Sequence, residues 1–334
     1  MTTTTLQSPN GSARVAGLVW AWIRKVPPVY PVFLVMFIAV ASLNPRYGEI
    51  SGIMSFLRRA SPLAVMAIGE MIVLASGGFD LSIGSMVTMV VLVSSLLLNN
   101  DPSKALPAIL IMLGLGVAVG LTNGLVVSYL KVPSLIATLG MMLLVRGGAL
   151  YWVGGAPKGY LTDNWRAFGR NYIENVPILG RVPIALLVLL VIAVISYFIF
   201  HRSNFGKQIL AIGDNVRAAQ LSGVRVRLIR VVAFLICSVL AIIGGIMIGG
   251  FGGVNVTIGT GLEMQTIAAC VVGGVLLLGG KGAVPDVIFG AFTMAALDNL
   301  LNLLGLPKPY KDALQGLIII AAVAYVAFQS RRKR

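Results

Sequence analysis

Long apolar runs alternate with short polar breaks along nearly the whole chain. A helix needs about 20 mostly apolar residues to cross the hydrocarbon core of a membrane. The runs predict ten such spans, centred near residues 37, 67, 90, 118, 143, 191, 239, 270, 293 and 320. Several are short or broken by glycine, so nine to eleven spans fit the pattern. They are continuous, unlike the alternating strands of about ten residues in an outer-membrane barrel. The expected fold class is therefore all-α: a polytopic inner-membrane helix bundle of about ten transmembrane helices. Residues 1–28 read as a Thr/Ser-rich cytoplasmic lead, 29–330 as one membrane domain and 331–334 as a basic cytoplasmic tail. Two longer polar segments interrupt the domain, Gly154 to Val182 and Arg202 to Arg230.

Composition agrees with this reading and charge orients it. Hydrophobic residues make up 57% and charged residues 11% of the 334, against about 25% charged in globular chains. The net charge of +15 is carried at the ends of apolar runs rather than in one basic domain, so the partner is membrane lipid and not nucleic acid. With the N-terminus in the cytoplasm, Arg14, Arg24, Lys25, Lys131, Arg202, Lys207, Arg217, Arg225, Arg227, Arg230, Lys281 and the tail Arg331-Arg332-Lys333-Arg334 fall inside. Fewer, chiefly Arg46, Lys104, Lys158, Arg166, Arg170, Arg181, Lys308 and Lys311, fall outside, which is the positive-inside bias. Both termini are then cytoplasmic. Arg58 and Arg59 fit less well, and an interfacial amphipathic segment from about Tyr47 to Ala60 is expected to hold them. The first apolar run, Val29 to Leu43, has charged flanks and does not read as a cleavable signal. Cys237 and Cys270 lie within apolar runs and are expected as buried structural thiols.

The segment Arg202 to Arg230 carries a short helix signal. Asp214 or Asn215 can cap a helix start, Gly223 can supply a left-handed stop, and Arg217, Ala218, Ala219, Leu221 and Ser222 lie between them. About two turns are marginal alone, so this helix needs a neighbour. Upstream, Gly77-Gly78-Phe79-Asp80-Leu81-Ser82 joins spans two and three with almost no loop. Asp80 or Ser82 can cap the third helix, and the join is either a tight turn or a broken helix beside a cavity.

No catalytic constellation is legible. His201 stands without a metal-ligating neighbour, so no metal site is expected. Gly279-Gly280-Lys281-Gly282 lacks the Ser or Thr that a phosphate loop places after its lysine, so this chain is not expected to bind ATP. Intramembrane polar residues are more informative, because charges in hydrocarbon usually face a cavity or a partner. Glu70 stands in the second span with two readings open, a structural partner or a pathway-lining, proton-carrying role. Asp80, Glu263, Asp286 and Asp298 lie nearer span ends, and of these only Asp298 reads as deep. Asn123, Thr138, Asn255, Thr257, Gln265, Asn299 and Asn302 supply amides and hydroxyls suited to an uncharged sugar or polyol. Tyr151 and Trp152 can anchor at the interface or stack on a sugar face. Gly116, Gly120 and Gly124 form a ridge for close helix packing, within the molecule or between subunits. Gly69 to Asn100 and Gly273 to about Leu304 share a layout of apolar run, glycine pair, acidic residue and second run.

Four stretches, taken in order, resemble the bacterial ribose-type ABC sugar permeases: Gly77 to Ser85, Leu135 to Met142, Ala211 to Gly223, and Gly279 to Gly282 followed by Asn302-Leu303-Leu304-Gly305. The resemblance runs from about Tyr47 to Gln329 and implies the ABC importer permease fold. It also implies a second permease copy, identical or paralogous, a cytoplasmic ABC ATPase carrying ATP and Mg, and a periplasmic substrate-binding protein. Arg217-Ala218-Ala219 and Gly223 resemble the Glu-Ala-Ala and glycine of the importer coupling motif, with Arg217 departing from glutamate. That makes Asp214, Asn215, Arg217, Ala218, Ala219, Leu221, Ser222 and Gly223 the ATPase-coupling candidates. Glu70, Asp80, Ser82, Asn123, Thr138, Asn299 and Asn302 are the candidates for a pathway or gate. Pro285-Asp286 departs from the family's Gly-Thr at the start of span nine. A different reading, a proton-coupled secondary transporter using Glu70, needs no partner subunits.

Overall fold

The structure is a computed structural model that describes residues 27–331. The lead and the basic tail expected at the two termini lie, apart from their inner edges, outside the described residues. The chain opens with α1 (Val29–Leu43), α2 (Ile50–Ala75), α3 (Ile83–Leu98), α4 (Ala105–Ser128), α5 (Ser134–Val153) and the short α6 (Asp163–Arg170). A hairpin follows, β1 (Tyr172–Val176) pairing antiparallel with β2 (Gly180–Pro183). Then come α7 (Ile184–Tyr197), α8 (Asn204–Asp214), α9 (Val216–Leu221), α10 (Val226–Gly252), α11 (Leu262–Val272), α12 (Val284–Leu303) and α13 (Lys308–Arg331). The hairpin is the one departure from an all-α fold among the described residues.

Each of the ten apolar centres falls on a helix, but not all are full spans. Five described helices are both long and apolar enough to cross a membrane unaided. The centre near residue 270 falls on α11, whose 11 residues extend about 16 Å at 1.5 Å per residue. It follows a half-exposed turn at residues 253–261. That turn presses on α3, with the Gly259 amide donating to Thr88 Oγ1 at 3.2 Å.

The centre of the bundle is α2 and α3. Every residue of α2 from Ala60 to Ala75 is buried, as is every residue of α3 from Ile83 to Ser95. A helix covered on all sides should be apolar on all sides, and these two are nearly so. Around them, α10 packs on α2, α3 and α4, and α12 packs on α1 and α2. Small residues bring the backbones together, as is usual where lipid weakens any hydrophobic drive. A Cβ on Gly120 or Gly124 would lie 2.8 or 2.7 Å from the α10 backbone at Leu235 or Val231. The glycine ridge of α4 is therefore an intramolecular contact. Gly69 brings α2 onto α10 at Cys237 in the same way.

Two ends are distinct. Arg58 donates to the Arg170 carbonyl at 3.2 Å and Asn164 to that of Pro102 at 2.8 Å, which gathers the first half of α2, the loop after α3 and α6 at one end. At the other, Gly280 N donates to Ala75 O at 3.0 Å and Arg230 Nη2 to Ser76 O at 3.1 Å. The segment Tyr47 to Ala60, expected to be interfacial, is not a separate element. Residues 50–75 form one uninterrupted helix, and Arg58 instead reaches the Tyr172 and Phe251 rings, at 5.2 and 5.8 Å from their centroids. Pro285 sits in the first turn of α12, where its missing N–H is not needed, and Asp286 accepts the Tyr30 hydroxyl at 2.7 Å.

Candidate functional site

The break between α2 and α3 lies in the protein interior, so its amides cannot turn to water and must find partners. They find side chains. Phe79 N donates to Ser134 Oγ (3.1 Å), Asp80 N to Glu70 Oε1 (3.3 Å), Leu81 N to Thr138 Oγ1 (3.1 Å) and Ser82 N to Asp80 Oδ1 (2.9 Å). Four successive amides are thus carried by four residues drawn from α2, α5 and the break itself. The Ser82 hydroxyl also donates to Asp80 Oδ1 at 2.5 Å, and Asn123 Nδ2 of α4 donates to Ser82 Oγ at 3.1 Å. Cys237 Sγ lies 3.7 Å from Glu70 Oε2, while Cys270 donates to the Ala67 carbonyl at 3.3 Å. Both thiols are buried and free.

Five of the seven pathway candidates therefore meet at one node: Glu70, Asp80, Ser82, Asn123 and Thr138, each no more than 1% exposed. The join is a broken helix rather than a surface turn. Ser82 holds the N-cap position of α3 but makes no side-chain cap, because its hydroxyl is given to Asp80. The expected depths of two acids are reversed. Asp80 is fully buried, whereas the side chain of Asp298 is 41% exposed and lies 3.5 Å from Lys311 Nζ. Asn302 belongs to that second cluster, donating to Asp298 Oδ2 at 3.0 Å and accepting from Lys311 Nζ. Asn299 is half-buried on the same helix, and neither asparagine joins the node. Tyr151 and Trp152 are exposed at the far end of α5.

The second constellation is the segment 202–230. Asn215 leaves helical geometry and accepts from Ala218 N at 3.0 Å, which starts α9. Gly223, at φ +82°, ends it, with Val224 N returned to Ala219 O at 3.0 Å. Of the two capping candidates, Asn215 caps, and Asp214 closes α8. Ala219 is buried with Ile212 and Val226, while Arg217, Ala218 and Ser222 are exposed and Leu221 is 84% exposed. A small apolar patch pins the helix from below and leaves its outer face open.

What lies beneath this helix has no signal in the residue pattern. A Cβ on Gly213 would fall 2.1 Å from both Ala75 O and Gly280 N, so three backbones touch there: the end of α8, the end of α2 and the loop after α11. Gly279 and Gly280, with φ of +96° and +79°, need the left-handed freedom that only glycine supplies cheaply. The glycine cluster that fails as a phosphate loop is a packing joint. Arg146 was also missed. It is exposed in the second half of α5 beside Gly147 and Gly148, where an added Cβ would meet nothing within 4 Å. Charges within a span usually face a cavity or a partner rather than hydrocarbon.

Residues 52–323 match the permease component of the branched-chain amino acid transport systems. The chain belongs to this family. It is 33% identical over 305 residues to the ribose import permease protein of Escherichia coli K12, covering 91% of this chain and 94% of the relative. The autoinducer 2 import system permease protein of Escherichia coli O157:H7 is 32% identical over 313 residues, covering 90% of this chain and 86% of the relative; its Shigella flexneri counterpart is 31% identical with the same coverage. No solved structure matches the chain. The permease is a multi-pass helical membrane protein and one component of a transport system, and these likenesses lend no support to a secondary transporter working alone on Glu70.

Proposed function

We propose that the chain is the permease subunit of a binding-protein-dependent ABC importer for a sugar or small polyol. On this reading residues 29–330 form one membrane domain, both termini and the segment 202–230 face the cytoplasm, and ATP and Mg are held by a separate ATPase rather than by this chain. A periplasmic binding protein delivers substrate at the hairpin end, and a second permease copy completes the pathway.

The observation that carries this reading is α9, a six-residue helix with a capped start, a left-handed stop, an exposed outer face and a backbone joint to α2 directly beneath it. A helix this short has no stability of its own. Held at both ends, it is suited to pass a push from a docked protein to the α2–α3 break, 5 residues along the chain from Ala75 to Asp80. Asp214, Asn215, Arg217, Ala218, Ala219, Leu221, Ser222 and Gly223 then form the ATPase contact, with Arg217 replacing a carboxylate by a cation. Glu70, Asp80, Ser82, Asn123 and Thr138 act as the closed gate, a fully paired polar node that opens only if its hydrogen bonds are exchanged together. Asn299 and Asn302 serve the other mouth of the pathway. The names of the relatives favour a sugar-like cargo, and the amide and hydroxyl content of the spans supports it.

The test is purification of the tagged permease from native membranes. An ATPase and a soluble binding protein should co-purify, and the ligand of the latter names the cargo. Uptake by liposomes holding this chain alone under a proton gradient would refute the reading. Within it, Gly223 or Ala219 replaced by leucine should abolish ATP-driven uptake while leaving membrane insertion intact.

A further inference from the structure

A cavity of about 630 Å³ lies between α9, the start of α5 and the α2–α3 break. Lys131, Arg227 and Arg230 line it, no acidic residue does, and none of the three is in an ion pair among the described residues. Two features indicate that the charge is arranged for a ligand. Arg230 Nε and Ser128 Oγ are buried and without a hydrogen-bond partner, although the other end of Arg230 is anchored on Ser76 O at 3.1 Å; leaving such groups unpaired is costly. Arg227 lines the cavity with its guanidinium 5.5 Å from the centroid of the neighbouring Tyr129 ring. Lys131, at φ +58°, is the left-handed stop after α4, with Val132 N returned to Val126 O at 3.4 Å, and this turn sets it on the cavity wall. The remaining wall includes Val127, Val132, Val216 and Phe234, a surface for an organic group rather than a bare ion.

We propose that this cavity binds a phosphate ester, with the anionic head between Lys131, Arg227 and Arg230 and the Ser128 hydroxyl donating to it. Arginine and lysine together suit a phosphate, the first by its planar fork and the second as a point charge. The ester is either that of an anionic phospholipid headgroup or that of a small phosphate monoester in solution, for which inorganic phosphate serves as the probe. Because Val216 and Gln220 of α9 also line the cavity, its occupant braces α9 against α5.

The experiment uses the full-length permease, purified and stripped of lipid, and needs no partner subunit, so it stands or falls apart from the importer reading. Inorganic phosphate is titrated by calorimetry. Retention of phosphatidylglycerol against phosphatidylcholine is measured by native mass spectrometry. Saturable binding of one phosphate, or selective retention of one phosphatidylglycerol, supports the site and names its source. In either arm K131Q/R227Q, both on the exposed rim, should weaken binding by at least about tenfold, the scale of one charge-assisted hydrogen bond. S128A should weaken it less, with unfolding temperatures unchanged in both. Absence of saturable binding of either probe, or wild-type binding by K131Q/R227Q, overturns the proposal; if R230Q does not fold, the rim variants decide alone.

Discussion

Replacing Gly213 with alanine puts a methyl group where three backbones meet. The added carbon would stand 2.1 Å from Ala75 O and from Gly280 N, against the 3.4 Å at which ordinary contact begins. Both neighbours are main chain, so neither can swing aside. The end of α8 must part from α2 and from the loop after α11, and the Gly280 N to Ala75 O hydrogen bond of 3.0 Å lies in the opening gap. Overpacking costs about 1–3 kcal/mol and the lost bond about 1 kcal/mol, so the joint should weaken by about 2–4 kcal/mol. The damage is confined to one end of the bundle and should appear as local opening. Hydrogen exchange read by mass spectrometry should show the amides of residues 211–223 and 276–283 exchanging faster by at least about 30-fold, the equivalent of 2 kcal/mol. Protection in α3 and α10 should hold. Gly223→Ala is the control, since nothing lies within 4 Å of its added carbon and only about 1–2 kcal/mol of left-handed strain is incurred. Wild-type exchange across residues 276–283 in Gly213→Ala would refute the joint as drawn.

Three further outcomes follow from the same geometry. Asp80→Ala leaves Ser82 N and the Ser82 hydroxyl proton without an acceptor in the interior and should cost more than Asp80→Asn, by about 1–3 kcal/mol, in thermal unfolding of the purified chain. Gly124→Leu forces α4 off Val231 and should lower the unfolding temperature, while Gly114→Leu, with open space around its carbon, should leave it unchanged. Asp101 is held below the usual carboxylate range by the hydroxyl and amide of Ser103. A depressed folded-state value means that its contribution is present above the ordinary carboxylate pKa and lost as pH falls through the folded one. Unfolding temperatures of wild type and Asp101→Ala should therefore differ slightly at neutral pH and converge in acid.

Much of this was legible in the residues. Continuous apolar runs mark helices whatever their depth, so all ten centres fall on helical segments. Asn215 and Gly223 carry capping chemistry that depends on a few neighbouring residues, and both sit as that chemistry requires. Depth was harder, because distance from a span end along the chain is a poor guide when a helix breaks inside the protein. Asp80 therefore read as peripheral and Asp298 as deep, and the structure reverses them. Length misled at α11, where the apolar run continues through a glycine-rich turn that periodicity cannot separate from helix. The hairpin Tyr172–Pro183 escaped because strands of five and four residues are too short for alternation to register. The joint at Gly213 depends on contacts between segments more than 60 residues apart, for which one sequence carries no periodic signal.

The central position of α2 has a consequence for how the protein reaches its membrane. α2 carries Arg58, Arg59, Pro62 and Glu70 and is not among the five helices able to cross unaided. A carboxylate near the middle of a solitary span costs about 3 kcal/mol to insert. Its partners are an amide ten residues onward and a thiol on α10, the latter made far later on the ribosome. The helices with the strongest claim on the bilayer are α4, α5, α7, α10 and α12, and they are needed before α2 has anywhere comfortable to be. The core of this permease is thus the last part to be secured, and damage to an outer helix should surface first as failed insertion at the centre.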